Sequence, residues 1–135
     1  MAVDQLIRIE SDGSLSFGNH LLDDKSKLED FKYGGDLMKV KTYKPMTKLE
    51  RNGLFVYESV PGTSVYNFTL NENGVEFSVE GSEDAQITVG LEEDAQYEVI
   101  VAGNDAGVMK TNMGGKLSFG VELENDKVTV SIKKA

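Results

Sequence analysis

The carboxy-terminal half of the chain alternates apolar and polar residues with a period of two, in short runs broken by turn residues. That pattern confines it to β structure. Val75, Phe77 and Val79 alternate with Glu76, Ser78 and Glu80. Ile87, Val89 and Leu91 follow, then Tyr97, Val99 and Val101, then Leu117, Phe119, Val121 and Leu123, and finally Val128, Val130 and Ile132. Successive side chains of a strand point to opposite faces, so each run reads as a strand with one face buried and one wet. The connections are Asn71-Glu72-Asn73-Gly74, Gly103-Asn104-Asp105-Ala106-Gly107, Asn112-Met113-Gly114-Gly115 and Glu124-Asn125-Asp126. Gly, Asn and Asp tolerate the positive φ angles that tight hairpins need.

The amino-terminal half is less regular. Asn52-Gly53, between Lys48–Arg51 and Leu54–Tyr57, is a strong signal for a two-residue hairpin, and Val60-Pro61-Gly62-Thr63 ends the second of those strands. Asp36 to Tyr43 sets Met38, Val40 and Thr42 against Lys39 and Lys41, a strand with one wet face. The one helix candidate is Asp24 to Phe31, short enough to be a 3₁₀ turn or a loop instead. No linker or low-complexity run divides the chain, so residues 1–135 read as one domain. The expected fold is all-β: an antiparallel β-sandwich of about ten to twelve short strands, with a jelly roll as one form it can take, and almost no helix.

A nine-residue pattern, G-x-L-S-F-G-x-x-L, occurs twice, at Gly13–Leu21 and Gly115–Leu123. Each copy follows a short apolar-basic stretch, Leu6-Ile7-Arg8 or Val108-Met109-Lys110. Both copies read as hairpins in which Leu15/Phe17 and Leu117/Phe119 enter the core and Ser16 and Ser118 take the opposite face. By the same equivalence His20 matches Glu122, which predicts a solvent-facing histidine.

Composition narrows the function classes. There is no cysteine, which excludes disulfides, thiolate metal sites and cysteine nucleophiles. No apolar run approaches a membrane span, and Met1–Arg8 has neither the basic nor the apolar region of a signal peptide, so the expected location is cytoplasmic. A net charge of −9 argues against nucleic acid as a partner. The charge is segregated. Residues 25–51 hold eight Lys and Arg against four acids, whereas 52–109 hold eleven acids and no base. Either opposite charges pair across neighbouring strands, or two poles steer self-association or a charged partner.

Candidate chemistry is sparse. His20, the single histidine, would have to serve any Ser-His-Asp triad. The acids Glu76, Glu80 and Glu92-Glu93-Asp94 fall on wet faces or turns, where nothing in the sequence raises a general acid's pKa. Asn71, Asn73 and Asp105 could offer oxygens to calcium if their turns converged, but the D-x-D-x-D-G spacing is absent. No glycine motif of a phosphate cradle is present, and no cofactor or metal is expected. Among the aromatics, Tyr57 and Tyr66 flank Pro61-Gly62. With Glu58 they form the candidate ligand-binding set, although core packing accounts for such alternating aromatics equally well.

The segments Lys48–Thr63, Gly81–Thr88 and Lys110–Ser118 resemble small bacterial all-β proteins often labelled "endosialidase". The resemblance brings no catalytic motif with it. Sialidases resemble six-bladed propellers, which need far more chain than this one has. Their S-x-D-x-G-x-T-W box is not matched by Ser11-Asp12-Gly13, and an arginine triad cannot be built from Arg8 and Arg51 alone. The expected function is therefore a non-catalytic binding or self-assembly module inside the cell, partnered by a protein or by itself. The alternatives are a carbohydrate-binding or carbohydrate-active accessory protein and a subunit of a phage- or particle-like assembly.

Overall fold

A computed structural model describes residues 3–124 and 126–135. Met1, Ala2 and Asn125, the last within the expected turn at 124–126, lie outside the described residues. The described chain forms thirteen strands and no helix. These are β1 (Ile7–Ile9), β2 (Leu15–Phe17), β3 (Ser26–Tyr33), β4 (Asp36–Tyr43), β5 (Met46–Arg51), β6 (Leu54–Val60) and β7 (Ser64–Asn71). They continue with β8 (Gly74–Glu80), β9 (Ala85–Gly90), β10 (Gln96–Val101), β11 (Asn104–Lys110), β12 (Lys116–Val121) and β13 (Val128–Lys134).

Two antiparallel sheets pack as a sandwich. One has seven strands in the order β1-β2-β7-β8-β13-β10-β11, the other six in the order β12-β9-β6-β5-β4-β3. The pairs β8·β13, β9·β12 and β10·β11 nest inside one another and alternate between the sheets, as in a jelly roll, whereas β3 to β6 form a plain meander. Between the sheets the Tyr57 ring meets Phe17, Phe77 and Phe68 edge-on, at centroid distances of 5.3, 5.7 and 6.2 Å.

The meander follows from local sequence. Asn52 and Gly53 take φ of 52° and 79°, the two positive angles of a type I′ turn, and join β5 to β6. The helix candidate at Asp24–Phe31 is instead the start of β3. Leu28 pairs with Val40 and Phe31 with Met38, and the extra residue between them forms a bulge at Glu29-Asp30. The bulge sends two apolar side chains three residues apart to the same face, which on paper imitates helical spacing. The expected connection at Gly103–Gly107 also shortens, to Ala102-Gly103, because Asn104 to Gly107 already belong to edge strand β11. These two strands take the total above ten to twelve.

The repeat divides. Leu15, Phe17, Leu117 and Phe119 are all buried, as the alternation predicts. The hairpins are not equivalent, however. In the first copy β1 pairs with β2. In the second, Val108-Met109-Lys110 lies in β11 of the seven-stranded sheet, while β12 pairs with β9 in the other. Gly18 turns the chain at φ 93°, whereas Gly120 continues the strand. Ser16 is buried rather than wet: its hydroxyl donates to Glu10 and accepts from the Asn67 amide.

The segregated charges do not pair with each other. No ion pair among the described residues joins a base of 25–51 to an acid of 52–109. The acids Asp94, Glu76 and Glu92 pair instead with the late lysines Lys110, Lys133 and Lys134. Register sets Lys27, Lys41 and Lys48 directly opposite one another on β3, β4 and β5, and the row continues through Glu58, Thr88 and Ser118.

Candidate functional site

The structure does not bring Tyr57, Glu58 and Tyr66 together. Tyr57 and Glu58 are neighbours on β6 and so point to opposite faces. Tyr57 is fully buried, and burial pushes its phenol far above the ordinary value. Glu58 lies on the wet face of the six-stranded sheet between Lys48 and Thr88. Tyr66 stands on the outer face of the other sheet, where its hydroxyl donates to Glu80 Oε1 at 2.9 Å and Lys127 Nζ sits 4.0 Å from its ring centroid. Burial and the adjacent carboxylate both push its phenol up.

The Tyr57 hydroxyl belongs to a buried chain of hydroxyls. It lies 2.8 Å from Thr63 Oγ1, which is also 2.8 Å from Ser59 Oγ. Thr47 Oγ1 donates to the Thr63 carbonyl at 2.7 Å, accepts from the Thr63 amide at 3.1 Å and meets Thr42 Oγ1 at 2.8 Å. The Asn19 amide closes the chain on Thr42 Oγ1. This network ties the Pro61-Gly62 crossover and the segment after β2 to the meander. Its trace in the sequence is the hydroxyl residues at inward positions of alternating strands, Thr42 among them.

His20, expected in solvent, is only 6% exposed. The first copy leaves its strand at Gly18, so the Glu122 equivalence fails beyond that glycine. His20 Nδ1 lies 2.7 Å from Ser64 Oγ, and Ser64 stands opposite Glu80 in the β7·β8 register. Burial lowers the His20 pKa, with the Glu80 carboxylate opposing, so the imidazole is neutral near pH 7. A histidine, a serine and a carboxylate thus share one neighbourhood. Ser64 is nevertheless wholly buried, and its oxygen also accepts from the His20 amide at 3.3 Å. A substrate carbonyl has no approach to that oxygen, so the cluster fastens the amino-terminal arm rather than forming a nucleophile.

The calcium candidates do not converge. Asn71 and Asn73 belong to the β7–β8 turn, while Asp105 lies on β11, separated from β8 by β13 and β10. Their side-chain oxygens accept nearby amides instead, Asn73 N on Asn71 Oδ1 and Gly107 N on Asp105 Oδ1. Among the described residues no group of three His, Asp or Glu gathers as metal ligands, and no helix is long and apolar enough to cross a membrane.

Apart from a shallow concavity of about 550 Å³ past Val60, Gln86, Gly120 and Glu122, an open cleft lies at one end of the sandwich. One arm, of about 350 Å³, runs past Arg51, Leu70, Glu72, Leu91, Glu92 and Tyr97. A second, of about 500 Å³, runs past Arg51, Leu54, Phe55, Leu91, Glu93 and Lys116. Its charges are mixed, and Arg51 already faces Asp36 at 3.9 Å. None of the three candidate residues lines either arm.

No protein-family model matches the chain, and no curated protein or solved structure is significantly similar to it.

Proposed function

We propose that this domain is a non-catalytic module that acts by association, and that its first partner is another copy of itself. The observation that carries this reading is the contrast among the four sheet edges. An exposed edge presents unpaired N–H and C=O groups and is normally blunted by shortness, bulges or lysines. β1 has three residues. β3 carries Lys27 and Lys32 and a bulge. β11 is bulged where its register to β10 shifts, with Gly107 at φ 96°. β12 is different: six residues in unbroken register with β9, and no charge from Leu117 to Val121.

Sedimentation velocity over a concentration series tests this reading. Association that grows with concentration is expected, and Gly120→Pro should suppress it while leaving the circular dichroism spectrum unchanged, because proline is tolerated where an edge N–H faces away from its sheet. A chain that stays monomeric at its highest soluble concentration would refute the reading.

A further inference from the structure

We infer that two copies join through antiparallel β12·β12 pairing in one register, with the two-fold axis at Phe119. The inference rests on the self-association reading and adds to it the contact, the symmetry and the residue pairs. The Leu91 amide donates to the Gly115 carbonyl at 2.7 Å, which turns the Gly115 backbone toward β9. Antiparallel alternation then turns the backbone groups of Leu117, Phe119 and Val121 toward β9, and those of Lys116, Ser118 and Gly120 outward. Asn112 caps Lys116 on that outer side: Lys116 N donates to Asn112 Oδ1 at 2.9 Å, and Asn112 N donates to Lys116 O at 3.0 Å. Within β12, the donors and acceptors left open among the described residues are those of Ser118 and Gly120.

A two-fold axis at Phe119 sets Ser118 opposite Gly120 of the second copy, so both open residues pair twice. The same register sets Lys116 opposite Glu122 of the second copy, again twice, and both side chains are exposed. In the single chain Lys116 Nζ reaches across Gly90 of β9 and rests 4.6 Å from the Phe55 ring centroid on β6, so pairing with Glu122 of the second copy requires this side chain to swing outward. Moving the axis to Ser118 would drive Gly120 against the capped Lys116. Moving it to Gly120 would place the open Ser118 against Glu122, past the end of β12, and carry Lys116 to Glu124. Only the axis at Phe119 pairs both open residues with each other inside β12, so the open backbone groups select one register, and the two six-stranded sheets become one of twelve. The wet face beside this seam is hollow at Gly120, where an added Cβ would meet nothing nearer than Gln86 Oε1 at 3.7 Å, so the approaching Ser118 side chain has room. Six residues make a short seam, so the dimer should be weak and concentration-dependent rather than obligate.

Charge reversal tests the register. Lys116→Glu or Glu122→Lys alone places two like-charged pairs in the dimer and should weaken it roughly tenfold, while the doubly reversed chain recovers to within about threefold. Because the chain has no cysteine, a second readout is clean. A mixture of Ser118→Cys and Gly120→Cys chains should oxidise to a heterodimer in preference to either homodimer. A dimer indifferent to the single reversals, or one whose Ser118→Cys chains crosslink to each other instead, overturns the register but not self-association. A monomer at every concentration overturns both.

Discussion

Gly18 and Gly120 close the same six-letter stretch, G-x-L-S-F-G, and the fold uses them in opposite ways. At Gly18 φ is 93°, and a Cβ would lie 2.5 Å from the Thr63 carbonyl oxygen. At Gly120 the backbone lies outside the left-handed region and the space is open. Gly18→Ala should therefore cost about 2 kcal/mol or more, from positive-φ strain plus a backbone clash. Gly120→Ala should stay within about 0.5 kcal/mol of the parent. Urea unfolding of the two variants, monitored by tyrosine fluorescence, checks the pair.

Removing one hydroxyl probes the buried chain at the crossover. Tyr57→Phe keeps the ring among Phe17, Phe68 and Phe77 and leaves Thr63 Oγ1 bonded to Ser59, so the loss should be about 1 kcal/mol. Tyr57→Ala empties the centre of the aromatic cluster and should cost about 3–5 kcal/mol. Equal losses in denaturant melts would mean that the ring contributes little.

The lysine row should hold the domain below its attainable stability. Lys41 stands between Lys27 and Lys48 and has no acid within ion-pair distance among the described residues, while Lys27 and Lys48 reach Glu29 and Glu50 at 3.3 and 3.7 Å. Lys41→Gln should therefore stabilise the fold by about 0.5 kcal/mol at low ionic strength. The gain should shrink at about 1 M salt, where the screening length falls to about 3 Å. Thermal melts at the two salt concentrations provide the measurement.

Acid should loosen the amino-terminal arm before the carboxylates titrate. Burial holds the folded pKa of His20 below its ordinary 6.5, so the unfolded chain takes up the proton first. The stability that His20 contributes is complete above about pH 6.5 and is lost as pH falls through the window below it. Glu10, held below 4.5 by its hydrogen bond from Ser16 and then by Arg8, adds a further loss only at lower pH. Denaturant midpoints from pH 7.5 to 5 should decline for the parent chain and stay flatter for His20→Asn.

The regular strands were legible because their alternation is local. Val75–Val79, Ile87–Leu91 and Tyr97–Val101 each show the face they bury without reference to a partner. Asn52-Gly53 was equally readable, since a type I′ turn depends on two residues. Leu28 and Phe31 misled because a bulge restored a common face at helical spacing, and a bulge exists only against a partner strand. The candidate set of Tyr57, Glu58 and Tyr66 was close in sequence, but β6 and β7 lie in different sheets, so the three side chains reach three separate surroundings. The grouping of His20, Ser64 and Glu80 spans sixty residues and had no local signal.

The repeated G-x-L-S-F-G-x-x-L divides what each level decides. Sequence alone determined that Leu and Phe in both copies face the core, because strand alternation is a property of the backbone at each residue. Only the tertiary structure decided that Ser16 is buried on Glu10 while Ser118 lies on an open edge. Edge or interior is set by whether another strand arrives on the far side. At β2 that strand is β7, and at β12 none arrives among the described residues.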